Sequence, residues 1–171
     1  SGSTELDATG LLVLPGGRDA HVHLQNPQGA HQVVSSDDRF SGTVAAACGG
    51  TTTVIDFVEA RPGQTWMQAF EARLAEATPQ AVVDFGFHMA CNRADAASLA
   101  EVPDVVAAGM PTFKVYMAYD GIRLTDADMM RALEQLRVHG ALPIVHAENH
   151  AVIQHLVAAC LSAGRREPRW H

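Results

Sequence analysis

The chain has 171 residues, of which 47% are hydrophobic and 18% are charged, and its formal net charge is −7. This length and composition predict one soluble globular domain with a substantial core. No apolar run approaches the ~20 residues that a membrane span needs, so we expect no membrane association. The only basic cluster is Arg165-Arg166. Because nucleic-acid binding requires a positive surface, we expect no nucleic-acid partner.

The cysteine pattern indicates a reducing compartment. Cys48, Cys91 and Cys160 are an odd number with no C-x-x-C pair, which favours free thiols over a disulfide framework, and we expect all three to be buried. No charged segment followed by an apolar run marks a secretory signal, so the predicted location is the cytoplasm. Residues 1–3, which read Ser-Gly-Ser, are expected to be an appended remnant outside the fold.

Short β-branched runs alternate with amphipathic stretches along the chain, a pattern typical of β/α units. The predicted strands, in chain order, are Gly17–Leu24, Thr52–Val58, Val82–Met89, Thr112–Tyr116 and Leu142–His146. The predicted helices are Arg39–Cys48, Thr65–Ala77, Asp95–Ala107, Asp126–Val138 and Asn149–Ala163. The fourth helix carries its own boundary signals, since Thr125-x-x-Asp128 resembles a capping box and Gly140 is placed to end the helix.

The regular spacing of the strands, about thirty residues, predicts an α/β fold of the parallel (β/α) barrel type. The chain holds about five of the eight units of such a barrel. A small doubly wound sheet is the alternative, and it would be expected to carry a phosphate-binding loop after its first strand. Neither G-x-G-x-x-G nor G-x-x-x-x-G-K-[ST] occurs in the sequence, so the barrel is favoured.

Histidines gather where two of the predicted strands end. His21 and His23 alternate on an extended segment, so both imidazoles can face one metal ion. His146 ends the last predicted strand and brings a third imidazole to the same rim of the sheet. Neutral imidazole is a ligand that suits zinc. The simpler explanation for the first two histidines is a chance surface pair, and His146 taken alone equally fits a role without metal binding.

Lys114 is the only lysine in the chain, and it lies between Phe113 and Val115 on a predicted strand. Because every other fixed cation is arginine, we expect this position to require an amine. A lysine amine can lose its proton and act as a nucleophile, whereas guanidinium does not. It can form a Schiff base, or react with carbon dioxide to give a carbamate that ligates metal. The simpler explanation is a lysine that reaches to the barrel rim.

Five segments of the chain carry a family resemblance. They are LVLPGGRDAHVHL at 12–24, DDRFSGTVAAACGGTTTVIDF at 37–57, FGFHM at 85–89, FKVYMAYDG at 113–121 and VHAEN at 145–149. In these segments the chain resembles the cyclic amidohydrolases, and within them the dihydropyrimidinase and hydantoinase group. The resemblance covers nearly the whole chain, in order and at plausible spacing.

The resemblance implies a distorted (β/α)8 TIM-like barrel, of which this chain corresponds to the N-terminal half of the catalytic domain. Residues 4–15 are expected to be a remnant of the family's small β-sandwich, and residues 16–171 a partial barrel. Two further family ligands, a histidine and an aspartate from later strands, lie beyond these residues, so the isolated chain is expected to be inactive. The whole protein is expected to be a homo-oligomer, a tetramer in this family.

The resemblance also implies a centre of two divalent metal ions, most often zinc. His21 and His23 would bind the first ion, carbamylated Lys114 would bridge the two, and His146 would bind the second. A hydroxide that bridges the metals would attack the ring amide of the substrate.

Two tyrosines complete the implied site. Tyr119 is expected to be catalytic and substrate-binding, donating a hydrogen bond to the developing oxyanion. Tyr116 and the loop Gln25–Val34 are expected to shape the substrate pocket. Asp19, Asp56 and Glu148 are candidate partners that orient histidines, although Asp56 can equally cap or pair structurally. His88 and His155 are interpreted as packing or surface residues.

The expected reaction is metal-dependent hydrolysis of the ring amide of cyclic ureides, which are 5,6-dihydropyrimidines or 5-substituted hydantoins. An allantoinase-type enzyme is one alternative, and a non-catalytic dihydropyrimidinase-like scaffold protein is another. Dihydroorotate is disfavoured, because Leu24-Gln25 stand where a carboxylate-binding arginine would follow the histidine pair.

Overall fold

A five-stranded parallel sheet organises the chain. The computed structural model describes residues 4–28 and 33–170. Its strands are β1 (Gly17–Asp19), β2 (Pro27–Gln28), β3 (Val33–Val34), β4 (Thr51–Val58), β5 (Asp84–Ala90), β6 (Thr112–Tyr116) and β7 (Leu142–His146). The large sheet has the order β1-β4-β5-β6-β7 with every neighbouring pair parallel, and β2 pairs with β3 as a separate antiparallel ribbon. Sequential strands that neighbour each other in parallel are the arrangement of a barrel wall.

Helices connect the strands of the large sheet. They are α1 (Arg39–Cys48), α2 (Trp66–Ala77), α3 (Ala96–Ala100), α4 (Val102–Ala107), α5 (Asp126–Val138) and α6 (His150–Ser162), followed by a 3-10 turn at Pro168–Trp170. All except α4 begin at a polar residue whose side chain accepts a hydrogen bond from a backbone N–H in the first turn. Such caps satisfy donors that a helix start leaves without partners.

The predicted α/β half-barrel is confirmed, with differences at the element boundaries. Four elements have their predicted bounds (α1, β6, α5 and β7), and the other strand and helix bounds differ mostly by one or two residues. The first strand ends at Asp19 instead of Leu24, because its regular pairing with β4 ends there; residues 20–23 stay beside β4 through the Val22 N–H bond to the Ile55 carbonyl but form no strand. The helix predicted at Asp95–Ala107 is two helices, α3 and α4, since Pro103 has no N–H to donate and is accommodated only in the first turn of a new helix.

The core lies between one face of the sheet and the helices. Alternate strand residues, including Phe87, Met89, Phe113 and Val115, pack there against side chains such as Trp66 of α2. The period of two along each strand sends these residues to one face and their neighbours to the other. One face of the sheet therefore carries the apolar core residues, and the other face carries the residues that alternate with them.

The thiols differ from expectation. All three cysteines are free, but only Cys91 is buried; Cys48 is exposed and Cys160 is half-buried. The prediction of three buried thiols was wrong because Cys48 and Cys160 lie on outward helix surfaces, which an Ala-rich local sequence does not reveal. Burial raises the pKa of the Cys91 thiol to about 12, so this residue remains protonated near neutral pH.

Two parts of the chain are poorly covered by the rest of the fold. Residues 4–16 form no strand or helix, and Leu11 to Leu14 are all exposed. No residue of α6 is buried. The domain boundaries predicted at residues 4–15 and 16–171 stay a prediction, and residues 1–3 and part of the loop Gln25–Val34 lie outside the described residues.

Among residues 4–28 and 33–170, no helix is long and apolar enough to cross a membrane.

Helix α5 offers a matched test of this packing. Leu136 is fully buried in the core, whereas Met130 on the same helix is 57% exposed. We expect Leu136→Ala to lower the free energy of unfolding by about 2–5 kcal/mol, because it removes buried methyl groups and leaves a cavity. Met130→Ala should change it by less than ~0.5 kcal/mol. Urea denaturation followed by circular dichroism measures both, and equal effects would contradict the placement of α5.

Candidate metal and substrate site

The chemically distinctive side chains lie on the face of the sheet opposite the core. The strand registers pair Phe57 with His88, Ala90 with Lys114 and Tyr116 with His146. Register partners on parallel strands point to the same face, and residues two apart on one strand do so as well. One face of the sheet therefore carries the only lysine, two histidines and a tyrosine.

The histidine pair follows directly after β1. The Val22 N–H donates to the Ile55 carbonyl at 3.1 Å, which keeps this segment beside β4 beyond the end of the strand. The rings of His21 and His23 lie 5.3 Å apart between centroids, and each lies within 5 Å of the Phe57 ring, at 4.8 Å and 4.7 Å. The predicted juxtaposition of these two imidazoles is what the structure shows.

Burial lowers the pKa of His21, and the positive charge of Lys114 and the neighbouring His23 lower it further. A lower pKa keeps the imidazole neutral at physiological pH. Neutral imidazole has the free lone pair that binds a metal ion, so the electrostatics of this position favour ligation.

Lys114 is a buried amine. Its residue is 7% exposed, between the fully buried Phe113 and Val115. Its ammonium group lies 5.8 Å from the centre of the Tyr116 ring, and within the described part of the chain it has no carboxylate partner closer than 4 Å. Burial lowers its pKa, which makes the neutral, nucleophilic amine more accessible.

Tyrosines and an acidic residue surround His146. The His146 ring lies 6.2 Å from the Tyr116 ring and 5.0 Å from the Tyr119 ring. The Tyr119 hydroxyl donates to the Glu148 carboxylate at 3.3 Å, and the same carboxylate oxygen contacts Nε2 of His146. Burial and Glu148 raise the pKa of Tyr119, and burial raises that of Tyr116 to about 12. Both hydroxyls thus remain protonated donors near neutral pH.

Tyr119 adopts an uncommon backbone conformation. Its φ is +75°, and its carbonyl accepts a hydrogen bond from the Arg123 N–H at 3.0 Å. A bulky residue in the left-handed region is rare and is found where the surrounding structure holds it in place, often at functional sites. The turn presents the Tyr119 ring to His146.

The donor types fit a divalent metal centre. The imidazoles of His21, His23 and His146 and the buried Lys114 amine, which has no carboxylate partner among the described residues, lie on the side of the sheet opposite the core. With an anionic oxygen on the amine, this set would suit zinc. Within the two described stretches, no three His, Cys, Asp or Glu side chains lie close enough together to hold a metal ion on their own. In the structure, the His21 ring lies next to the His23 ring, and the His146 ring lies next to those of Tyr116 and Tyr119. A four-ligand centre that includes Lys114 stays a prediction.

A buried ion network supports the site from the core side, and sequence reasoning found only one of its members. Asp56 is 1% exposed, and its Oδ2 lies 2.8 Å from Arg39 and 3.2 Å from Arg73. Glu76 adds a second carboxylate at 2.8 Å from Arg73. Two positive and two negative groups balance in charge, which is what makes their burial tolerable. Asp56 is thus a structural ion-pair partner, one of the two roles that its sequence context left open.

Of the other acidic residues predicted to orient histidines, one contacts a histidine ring and one does not. The Asp19 carboxylate accepts a hydrogen bond from the His21 backbone N–H at 3.1 Å and not from an imidazole. Glu148 does contact a histidine ring, that of His146. His155 is exposed, as a surface histidine would be. His88 is buried with hydrogen bonds at both ring nitrogens, which apolar packing alone does not describe.

A groove of about 720 Å³ lies beside this region, between α6 and the segment that ends at Trp170. Tyr119 and Glu148 line one end of it, and most of the remaining lining is apolar. His21, His23 and Lys114 do not line it. The groove therefore adjoins the predicted site without containing it.

Comparison with known proteins identifies the family. The model of the amidohydrolase family matches residues 12–165. The chain belongs to the amidohydrolase family. A D-hydantoinase of Geobacillus stearothermophilus is 43% identical over 173 residues, which cover 100% of this chain and 36% of that protein. A D-phenylhydantoinase of Escherichia coli K12 is 41% identical over 168 residues, which cover 98% of this chain and 36% of that protein.

Solved structures of amidohydrolases agree with the observed fold. The structure of D-hydantoinase from Bacillus sp. AR9 superimposes with a TM-score of 0.91 at 38% identity, over 98% of this chain and 36% of that one. The chain thus spans about a third of the length of these relatives. The resemblance to the hydantoinase and dihydropyrimidinase group and the half-barrel fold are both confirmed.

Removing the Asp56 charge tests the ion network. We expect Asp56→Asn to lower the free energy of unfolding by about 3–5 kcal/mol, because it leaves two buried guanidinium groups without their shared carboxylate. Asp84→Asn, at an exposed aspartate on β5, should change it by less than ~0.5 kcal/mol. Chemical denaturation of both variants measures this difference, and an unchanged Asp56→Asn midpoint would show that the network is energetically unimportant.

Proposed function

We propose that the whole protein hydrolyses the ring amide of cyclic ureides, namely 5,6-dihydropyrimidines or 5-substituted hydantoins. The observation that carries this proposal is the buried amine of Lys114, which has no carboxylate partner within residues 4–28 and 33–170 and lies on a sheet face beside His21 and His146. The relatives at 41–43% identity are hydantoinases by name and support the same class of substrate. Because the chain spans about a third of their length, the activity is proposed for the complete protein.

The proposed metal ligands are His21, His23, Lys114 and His146. The two imidazoles beside Phe57 would hold one divalent cation, with zinc as the expected metal, and His146 would hold a second. The Lys114 amine would react with carbon dioxide and lose a proton, so that the resulting carbamate oxygens reach both ions. Two such cations supply an activated water and polarise the amide carbonyl.

The chain's own residues prepare this chemistry in three ways. Burial lowers the pKa of His21 and so favours its neutral form, and burial also favours the unprotonated Lys114 amine that carbamate formation requires. The third contribution is Tyr119, whose protonated hydroxyl now donates to Glu148. With substrate bound, we expect it to donate instead to the amide oxygen as negative charge develops there. Tyr116, between Lys114 and His146, would form the wall against which the substrate ring lies.

Assembly and location belong to the same proposal. We expect the complete protein to be a cytoplasmic homo-oligomer, with a tetramer as the expected state. Light scattering coupled to size-exclusion chromatography measures the oligomeric state directly, and a monomeric mass for the active protein would contradict it.

The substrate class is tested by hydrolysis of dihydrouracil, a 5-substituted hydantoin, allantoin and dihydroorotate. The complete protein is loaded with zinc in the presence of bicarbonate and compared with its Lys114→Arg variant. We expect ring opening of the first two substrates, and no detectable activity in the variant, because guanidinium cannot form the carbamate.

Other outcomes of this assay separate the alternatives. Faster hydrolysis of allantoin would identify an allantoinase-type enzyme. No hydrolysis, together with no bound metal by elemental analysis, would overturn the proposal in favour of a non-catalytic scaffold protein.

Tyr119→Phe tests the role of the hydroxyl group. Loss of one oxyanion donor typically lowers kcat by about 10²–10³, and we expect a decrease of that size. The phenyl ring remains, so metal content should not change. Steady-state kinetics with parallel zinc analysis measures both quantities, and an unchanged kcat would remove Tyr119 from the reaction.

A further inference from the structure

The segment that carries His21 and His23 has few backbone bonds of its own. It begins beyond β1, at the edge of the large sheet, and ends at the Leu24-Gln25 turn. The Val22 N–H bond to Ile55 is its backbone link to β4. Two side chains from other elements, His88 and Arg73, bind carbonyl groups on either side of the histidine pair.

His88 of β5 holds the N-terminal side. Its Nε2 lies 2.9 Å from the Ala20 carbonyl oxygen, and its Nδ1 contacts the hydroxyl of Thr112 on β6. A carbonyl oxygen can only accept, so Nε2 carries the proton and donates. In a neutral ring Nδ1 must then accept from the Thr112 hydroxyl, which selects the tautomer that binds Ala20. His88 is 4% exposed, so water does not compete freely for either bond.

Arg73 of α2 holds the C-terminal side. Its guanidinium donates to the Leu24 carbonyl at 2.7 Å and to the Gln25 carbonyl at 3.2 Å. The same group pairs with buried Asp56 and with Glu76, which fixes its orientation.

Contacts from other elements hold Gln25 in a backbone conformation that glutamine does not favour by itself. Its φ is +49°, a conformation that residues other than glycine rarely adopt. Its N–H donates to the Asp37 carbonyl at 2.8 Å, and its side-chain amide donates to Glu76 at 2.8 Å. Together with Arg73, these contacts hold Gln25 on three sides.

We propose that His88 and Arg73 are positioning residues that hold the backbone on both sides of the His21-x-His23 segment, so that its two imidazoles are pre-arranged to bind a metal ion. Neither residue touches the ion in this scheme. The inference rests on the proposed function, because it assumes that the histidine pair ligates metal. Partners of this kind behind a ligand typically change metal affinity by about 10–100-fold when removed.

The variants separate positioning from general stability. Thr112→Val removes the hydroxyl that selects the His88 tautomer but keeps the side-chain shape, and Thr112→Ser keeps the hydroxyl. Arg73→Met removes the bonds to Leu24 and Gln25. Its matched control is Arg39→Met, which removes the other guanidinium on Asp56 and none of the hydrogen bonds to those two carbonyls.

The measurement uses the complete protein loaded with cobalt(II) as the metal probe. The visible absorption of the ion reports its ligand geometry, and its transfer to a competing chelator reports the rate of release. We expect Thr112→Val and Arg73→Met to release cobalt about 10–100-fold faster than the unmodified protein and to alter its spectrum. Thr112→Ser and Arg39→Met should keep both the spectrum and the rate.

The results that would contradict the proposal distinguish failure of the positioning role from failure of the proposed function. If Arg39→Met releases metal as fast as Arg73→Met, or if Thr112→Val behaves as the unmodified protein, the positioning role is overturned while the proposed function stands. If His88→Gln, which keeps a donor near the position of Nε2, retains metal no better than His88→Leu, the hydrogen bond to Ala20 is not the cause. If the unmodified protein retains no cobalt or zinc, the proposed function fails, and the inference fails with it.

Discussion

The Asp56 carboxylate, buried between two guanidinium groups, links the parts of this molecule that are distant in sequence. It belongs to β4, whereas Arg39 opens α1 and Arg73 lies in the middle of α2. A buried carboxylate is costly unless it is paired, so these three elements must come together in one arrangement. The same Arg73 binds the carbonyls of Leu24 and Gln25. The interaction that joins the first two helices to the sheet therefore also places the end of the histidine segment.

The two faces of the large sheet carry different kinds of side chain, apolar core residues on one and the candidate site residues on the other. Phe87, Met89 and Phe113 point toward the helices and form the apolar core. Their neighbours His88 and Lys114 point to the opposite face. Because side chains alternate along a strand, an apolar core and a polar site can be built from the same short segments. In a parallel sheet the strand ends meet at one rim, and this brings the end of β1 and the end of β7 to the same side of the molecule.

Much of the fold could be predicted because its signals are local. The alternation around Lys114, the cap at Thr125 and the stop at Gly140 depend on a few neighbouring residues each. The misplaced boundaries have identifiable causes as well. Pro103 divides a helical stretch whose apolar pattern is continuous. The first strand is shorter than predicted because its regular pairing with β4 stops at Asp19, and the chain then turns at Leu24-Gln25, where contacts from α2 hold Gln25 in the left-handed region. This turn could not be predicted from the sequence, because a non-glycine residue takes the left-handed conformation for which glycine is the usual signal.

The sequence by itself determined the order of the strands and helices, the α/β class, and the residue types available for chemistry, since periodicity, capping and family motifs are properties of neighbouring residues. Only the tertiary structure decided which of those residues meet. It assigned Asp56 to two arginines instead of a histidine, and it gave His88 hydrogen bonds to Ala20 and Thr112. These partners are separated by 17 to 68 positions along the chain. Contacts over such separations depend on strand register and helix docking, which no local pattern encodes.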